Sequence, residues 1–235
     1  MTLTIGLIPA RGGTKRLPRK NIIPFAGKPI IAWTIEAALK SEIFDVVAVT
    51  TDDDEIASVA EHYGASIYWR PEELGSDSAT CASVCRYHLL DLISSGKSFE
   101  RLFCMYPTAP LRTEYDILAI NRLFEEHTNC VGVIAVTDFS HYPFQALQLL
   151  PDSRIKPYWP ELCQLRASLL PPLVAGNGST YAINVDEFMH TGDFYSATME
   201  GFYAYRMDPL RSIDIDVESD LLLLNAAHSV LLELG

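Results

Sequence analysis

Hydrophobic and polar positions alternate along this chain between two periods. The run "LTIGLI" is almost wholly apolar and β-branched, and Pro9 ends it. A short continuous apolar run predicts a strand buried on both faces. "KPIIAWTIEAALKS" follows, with Ile31, Ile35, Ala38 and Leu39 on one helical face and Pro29 at the first helical position. "FDVVAVTT" reads as the next strand and "DEIASVAEHYG" as the next helix, closed by Gly64. "TCASVCRYHLLDLI" and "EYDILAINRLFEEH" read as helices. "RLFCMY", stopped by Pro107, and "VGVIAV" read as strands. This βαβα rhythm predicts a Rossmann-like α/β fold, a mostly parallel sheet with helices on both faces. Sites in such sheets lie at the carboxyl ends of the strands, here after Ile8, Thr50 and Tyr106.

From Thr137 to about Pro172 the rhythm breaks. "DFSHYPFQALQLLPDSRIKPYWPELCQLRASLLPP" is rich in Pro, Leu and aromatics without clean periodicity. It reads as an inserted arm, 139–172, whose apolar surface serves a partner or packs on the domain's own body. The rhythm resumes with "GFYAYRMD" and "SIDID", then the helix "ESDLLLLNAAHSVLLEL". A length of 235 residues suits one domain, 1–235, carrying that arm.

Charge changes the picture. The formal net charge is −12, which argues against nucleic-acid or membrane-surface binding, because phosphate-rich polymers would be repelled. The five cysteines are odd in number and contain no CxxC pair. Cys81 and Cys85 share a helix face, but no nearby Cys or His pair completes a zinc set. Buried thiols in a reducing compartment are the expectation. "MTLTIGLIPA" has no basic n-region, and no apolar run is long enough to cross a membrane, so a cytoplasmic protein is expected.

Against the acidic whole, "IPARGGTKRLPRKN" carries Arg11, Lys15, Arg16, Arg19 and Lys20. It matches neither G-x-G-x-x-G nor G-x-x-x-x-G-K-[ST]. Gly12 and Gly13 allow close backbone approach, and N–H groups flanked by several cations suit a polyphosphate. A solvated basic loop is the plainer alternative. In "SIDID", Asp214 and Asp216 are two apart and project from one face if the segment is a strand. Two carboxylates there suit Mg²⁺. Otherwise they are exposed acids, with Asp216 capping the next helix.

"ARGGTKRLPRKN", "GKPII", "TTDDDEIA", "RPEEL", "YPTAPLRT", "NGSTYAI" and "SIDID" occur in this order. Together they resemble the acylneuraminate cytidylyltransferases, which couple CTP to nine-carbon α-keto acid sugars. "YPTAPL" and the "FSHYPFQAL…WPE" arm look most like the pseudaminic acid branch. The resemblance implies a homodimer whose arm reaches the other subunit. It implies that Arg11, Lys15 and Lys20 face the triphosphate, with Ala10, Gly12 and Gly13 in the same loop. Asn21, Arg70, Ala79, Thr80 and Cys81 would line the cytidine pocket. Tyr106, Asn177, Tyr181, Phe194 and Tyr195 would line the sugar site, and Asp214 and Asp216 would hold Mg²⁺. Plainer readings stand beside these. Arg70 pairs with an acid of "RPEEL", Asn177 serves the Asn-Gly turn, and Tyr181 and Phe194 are core aromatics. Tyr106 stands where sialic acid enzymes have a glutamine, and Ala175 where they have an arginine. Both departures count against N-acetylneuraminate, and "NGSTYAI" departs from the pseudaminic pattern too.

The implied reaction is attack of the sugar's anomeric hydroxyl on the α-phosphorus of CTP, with pyrophosphate leaving. Positioning and charge stabilisation would dominate it. Alternatives share parts of the pattern: an N-acetylneuraminate, legionaminate or Kdo cytidylyltransferase, a transferase for sugar 1-phosphates, and a nucleotide-binding regulator. Residues 175–195 hold no Arg or Lys for a sugar phosphate, and an intact aspartate pair speaks against the regulator.

Overall fold

A computed structural model describes residues 3–13, 15–76 and 78–234. The ends of the expected 1–235 domain and Thr14 of the basic loop lie outside the described residues. In chain order come β1 (Leu3–Pro9), a small hairpin of β2 (Pro24–Phe25) and β3 (Lys28–Pro29), α1 (Ile30–Ser41), β4 (Val46–Thr51), α2 (Asp54–His62) and β5 (Ser66–Trp69). They are followed by α3 (Cys81–Ser94), β6 (Phe99–Met105), α4 (Glu114–Glu126) and β7 (Gly132–Asp138). The hairpin β8 (Leu147–Leu149) and β9 (Ile155–Pro157) precedes β10 (Val174–Asn184), α5 (Val185–Thr191), β11 (Phe202–Arg206) and α6 (Glu218–Leu234).

Seven strands form one sheet in the order β11-β7-β10-β6-β1-β4-β5. β1 pairs in parallel with both β4 and β6. It is buried from Ile5 to Pro9, as an apolar run flanked on both sides demands. On one face Ile31, Ile35 and Ala38 of α1, Ile56 and Ala60 of α2 and Ile117, Ile120 and Phe124 of α4 cover the sheet. On the other, Cys85, Leu89 and Leu92 of α3 and Phe188 of α5 pack on Ile5, Leu7 and Leu102. The chain runs from β1 outward to β4 and β5, then returns to β6 on β1's other side. Loops leaving β1 and β6 therefore diverge, and a crevice opens at the carboxyl ends of the strands.

The helix starts follow local chemistry. Asp53 caps α2 by accepting hydrogen bonds from the amides of Glu55 and Ile56. Thr113 and Asp116 form a reciprocal capping box at α4. α1 begins one residue later than expected. Pro29 is extended at ψ 142° and serves as the N-cap, and a residue without an N–H loses nothing in either place.

The sheet is mostly parallel, as expected, and three features add to the sequence expectation or change it. β10 runs antiparallel to both β6 and β7, interrupting the parallel rhythm. α5 follows it without a connecting loop. "SIDID" is not a strand: it joins no sheet, and the amide of Ile215 donates to the carbonyl of Thr108 at 3.0 Å. Its alternation survives nevertheless. Ile215 is buried with Phe25, Ile30, Leu111 and Leu224, which turns Asp214 and Asp216 the other way. Residues 139–172 hold the β8–β9 hairpin, whose Leu147, Leu149 and Ile155 are exposed.

Candidate active site

A cleft of about 330 Å³ lies at the carboxyl ends of β1, β5 and β6. Its walls include Pro9, Arg11, Lys20, Asn21, Arg70, Ala79, Cys81, Tyr106, Thr108, Asp214 and Asp216. Residues separated by more than two hundred positions meet here because four loops leave the same end of the sheet.

The loop after β1 is held by its own side chains. Asn21 is buried and its Nδ2 donates to the carbonyl of Arg11 at 2.9 Å. Ala10 is buried, and its amide donates to the carbonyl of Thr50 at 2.9 Å. Gly12 donates its amide to Asp52 Oδ1 at 2.8 Å, and a Cβ on Gly12 would lie 2.5 Å from Asp53 Oδ2. Only glycine allows that approach. Gly13 has open space around it.

The five basic residues divide. Arg11 and Lys20 line the cleft. Arg16 pairs with Asp216 Oδ2 at 3.0 Å. Arg19, in a left-handed conformation with φ 58°, is turned to Asp53 and Glu55. Lys15 lies outside the cleft lining.

Arg70 pairs with no acid of "RPEEL". Its Nε and Nη2 donate to the carbonyl of Thr50 at 3.1 and 2.9 Å. Thr80 caps α3 by accepting from the amide of Ser83 at 3.0 Å, and this puts Cys81, the first helical residue, on the cleft wall. Tyr106 and Cys81 share the cleft wall, and burial holds the Tyr106 phenol fully protonated.

Asp216 and Asp214 have opposite surroundings. Lys20 Nζ donates to Asp216 Oδ1 at 3.0 Å, and this bond holds the carboxyl below its ordinary value. The Asp216 side chain does not cap α6. Asp220 Oδ2 accepts from the amides of Asp216 and Val217 instead. For Asp214, burial pushes the carboxyl above its ordinary value, although Thr108 and Lys20 pull it back. Its Oδ1 is buried and has no hydrogen-bond partner. A buried carboxylate oxygen without a partner is destabilising unless something fills its coordination sphere. Mg²⁺ is held by one or two carboxylates and completes its octahedron with water and substrate phosphate, so the pair fits that ion. Among the described residues no group of three or more His, Cys, Asp or Glu forms a fuller cage.

Asn177, Tyr181, Phe194 and Tyr195, expected at the sugar, are not part of this cleft's lining. Asn177 is buried, donating from Nδ2 to Ser212 Oγ at 3.0 Å and accepting from the amide of Ser179 at 3.0 Å. Tyr181 backs Tyr106, their ring centroids 5.5 Å apart, and Phe194 is buried 5.5 Å beyond Tyr181. Tyr195 is half-exposed and lines a separate groove with Val174 and Gly176.

Several supporting residues carry no signal by themselves in the sequence. Thr108 sits unremarked inside "YPTAPLRT". Gly178 has φ +69°, and a Cβ there would meet Asp214 Oδ2 at 2.9 Å. Buried Arg112 ties the carbonyls of Ser179 and Tyr106 together at 2.6 and 3.2 Å. Arg211, three residues before Asp214, makes a two-point contact with buried Asp116 at 2.6 and 2.8 Å.

The sequence model of the cytidylyltransferase family matches residues 5–142. An N-acylneuraminate cytidylyltransferase from Escherichia coli is 35% identical over 93% of this chain and 50% of its own length. A pseudaminic acid cytidylyltransferase from Campylobacter jejuni is 42% identical over 59% of this chain and 60% of its own. A CMP-N,N'-diacetyllegionaminic acid synthase from Legionella pneumophila is 33% identical over 92% of each chain. The chain thus spans half to three-fifths the length of the first two. Among solved structures, a CMP:2-keto-3-deoxy-manno-octonic acid synthetase complexed with CTP superposes over 98% of this chain and 100% of its own, with a TM-score of 0.67. At 15% identity that match speaks for the fold alone. Among the described residues no helix is long and apolar enough to cross a membrane.

Proposed function

The chain belongs to the cytidylyltransferase family, and from that premise we propose that it transfers the cytidylyl group of CTP to a nonulosonic acid of the pseudaminic type, releasing pyrophosphate. The observation that carries this reading is the cleft itself. Arg11, Lys20 and Arg70 bring positive charge to a cleft that Asp214, with a buried carboxylate oxygen lacking a hydrogen-bond partner, also lines.

In this reading Arg11 and Lys20 neutralise the triphosphate, with Lys15 and the Gly12–Gly13 backbone in support. Asn21, Arg70 and residues 79–81 hold the cytidine. Asp214 and Asp216 hold Mg²⁺. The ion, when bound, supplies a Lewis acid that lowers the charge on the phosphate oxygens. Everything else is positioning. The Asn21 bond to Arg11 fixes the cationic loop, and Lys20, held on Asp216 at the cleft wall, would neutralise phosphate from there. The protein thereby presents charges already in place where negative charge develops.

The substrate reading rests on Tyr106. Its buried phenol stays protonated, and its aromatic ring is what it offers to a sugar. Tyr181 stands behind it, with Phe194 and Tyr195 in ring contact with Tyr181. An aromatic wall suits an N-acyl methyl or a deoxy methyl group. It leaves the hydroxyls of a glycerol tail unpaired, and each buried unpaired group costs about 1–3 kcal/mol. Release of pyrophosphate from CTP and Mg²⁺ with three acids is the test. A 5,7-diacylamino-9-deoxy nonulosonic acid is expected to exceed N-acetylneuraminate and Kdo in kcat/KM by roughly ten- to hundredfold per mismatched group. If none releases pyrophosphate, cytidylyl transfer is wrong. If N-acetylneuraminate or Kdo is best, only the Tyr106 reading is wrong.

The arm is assigned to a second copy of the chain. Phe139, Tyr142, Leu147, Leu149, Ile155 and Tyr158 are exposed within about twenty residues of one another. Sedimentation at micromolar concentration should give a dimer, and Leu149→Asp should give a monomer. A monomeric wild type would remove the assignment.

A further inference from the structure

We propose that His88, a residue of α3 outside the cleft lining, is a positioning residue for the nucleotide site: through the hydroxyl of Thr50 it fixes the guanidinium of Arg70. The inference rests on the reading of the cleft as the CTP site and adds to it a residue that the motif pattern does not mark.

The chain of contacts is short and buried. His88 Nε2 lies 2.7 Å from Thr50 Oγ1. Thr50 is fully buried, so its hydroxyl has no water as an alternative partner, and His88 is 5% exposed, its ring lying between Thr50 and a groove lined by Tyr68, Tyr87 and Asp91. Arg70 Nε donates to Thr50 Oγ1 at 3.2 Å and to the Thr50 carbonyl at 3.1 Å, while Nη2 donates to the same carbonyl at 2.9 Å. Both oxygens of Thr50 therefore receive hydrogens from Arg70, and its hydroxyl proton points elsewhere. A hydroxyl has one proton to give, and the remaining near partner is His88 Nε2. In the proposed relay that nitrogen is unprotonated and accepts, with the ring proton on Nδ1. Thr50 also accepts the amide of Ala10 at 2.9 Å, so the same residue ties the start of the cationic loop to Arg70.

Direction separates this from a plain core histidine. A core histidine would satisfy itself on any nearby group. Here the partner is the one hydroxyl that accepts from the Arg70 side chain. With Nε and one Nη2 hydrogen occupied, the guanidinium is fixed in rotation, and its other N–H groups stay available in the cleft. Arg is useful at such sites because its planar fork is pre-organised, and an Arg that can rotate loses that advantage.

The surroundings favour the neutral ring. Tyr68 of β5 and Tyr87 of α3 contact it at centroid distances of 5.5 and 5.1 Å. Arg70 and Asp91 are the charged groups acting on it. Burial, then the Arg70 charge, push its pKa down to about 4, against a smaller upward pull from Asp91. The relay is thus intact throughout the neutral range.

The test uses the full chain and four variants. Thr50→Val removes the hydroxyl at nearly constant shape, and Thr50→Ser keeps it. His88→Leu removes the acceptor. His88→Gln returns one, since a glutamine carbonyl reaches the Nε2 position. Thr50→Val and His88→Leu should each raise KM for CTP roughly three- to tenfold, as loss of one buried hydrogen bond implies. KM for the sugar and kcat should stay within about twofold. Thr50→Ser and His88→Gln should restore KM for CTP to within about twofold. In the wild type, nitrogen NMR should find His88 with Nδ1 protonated and Nε2 bare at pH 7. The Arg70 Nε–H should exchange slowly in the wild type and quickly in Thr50→Val. An unchanged KM for CTP in His88→Leu overturns the proposal. So does a protonated Nε2, or an equal shift in CTP KM, sugar KM and kcat. If the wild type does not bind CTP, the functional reading fails. The tautomer and the Arg70 exchange rate still decide the relay, with no ligand present.

Discussion

Asp214→Asn is expected to lower kcat/KM by roughly 10²- to 10³-fold, the scale of losing one preorganised electrostatic contact in a closed site. The substitution keeps the shape and leaves an oxygen to accept from Thr108, so packing is preserved. What it removes is the charge on an oxygen that is buried and without a protein partner. The Mg²⁺ concentration giving half-maximal rate should rise as well. A stability measurement separates this from collapse of the site. Burial raises the Asp214 carboxyl above its ordinary value of 3.8, so the folded state binds this proton more tightly than the unfolded state. Stability from this group is therefore present at low pH and lost as pH rises through the raised value. At pH 7 the ionised side chain is a burden on the fold, and the asparagine variant should melt no lower than the wild type. For the same reason the wild type's Mg²⁺ requirement should climb as pH falls, beginning above the ordinary carboxylate range, because proton and cation compete for one group. A variant of wild-type rate at limiting Mg²⁺ would make Asp214 structural.

Asp116→Ala is expected to cost about 3–5 kcal/mol of stability, the scale of removing one partner from a buried ion pair. At roughly 2–4 °C per kcal/mol for a chain of this size, Tm should fall by about 10 °C. Asp116 is 1% exposed. Its carboxylate accepts from Arg211 at 2.6 and 2.8 Å, from Tyr205 at 2.8 Å and from the amide of Thr113 at 2.8 Å. Burial alone would raise its pKa, but Arg211, Thr113 and Tyr205 together hold it below 3.8. A depressed carboxylate contributes stability above the unfolded value and loses it as pH falls through the folded one. The gap between wild type and variant should be full at pH 7 and narrow below about pH 4. Urea denaturation at the two pH values measures it. A cost under about 1 kcal/mol at pH 7, or a gap independent of pH, would show that the charge does not hold this corner. Because Arg211 stands three residues before Asp214, the variant should also need more Mg²⁺ than the wild type. Asp214→Asn with Asp116→Ala should then show no further increase in that requirement.

The sequence by itself determined the alternation of elements and the positions where chemistry gathers. β1, β4 and β6 are apolar runs that no solvent-facing element would tolerate, and α1, α2 and α4 follow the helical spacing of their apolar residues. These are local facts, set by periodicity. The cationic loop was legible for a related reason: five charges at the end of a buried strand, in an acidic chain, have few structural uses. Tertiary structure decided everything that depends on who meets whom. "SIDID" keeps the alternation of a strand without a sheet partner, because burial of Ile215 on Phe25 and Leu224 replaces ladder hydrogen bonds. β10 lies antiparallel between β6 and β7, although its own residues say only that it is extended. Asp214 and Asp216, two positions apart, acquire opposite proton affinities because Asp216 bonds to Lys20 and Arg16 while Asp214 is buried more deeply, against Gly178. Burial and Coulomb forces act through space, and their partners here stand up to 196 positions apart along the chain. No local pattern records such pairings. The fold chooses them once the core has formed.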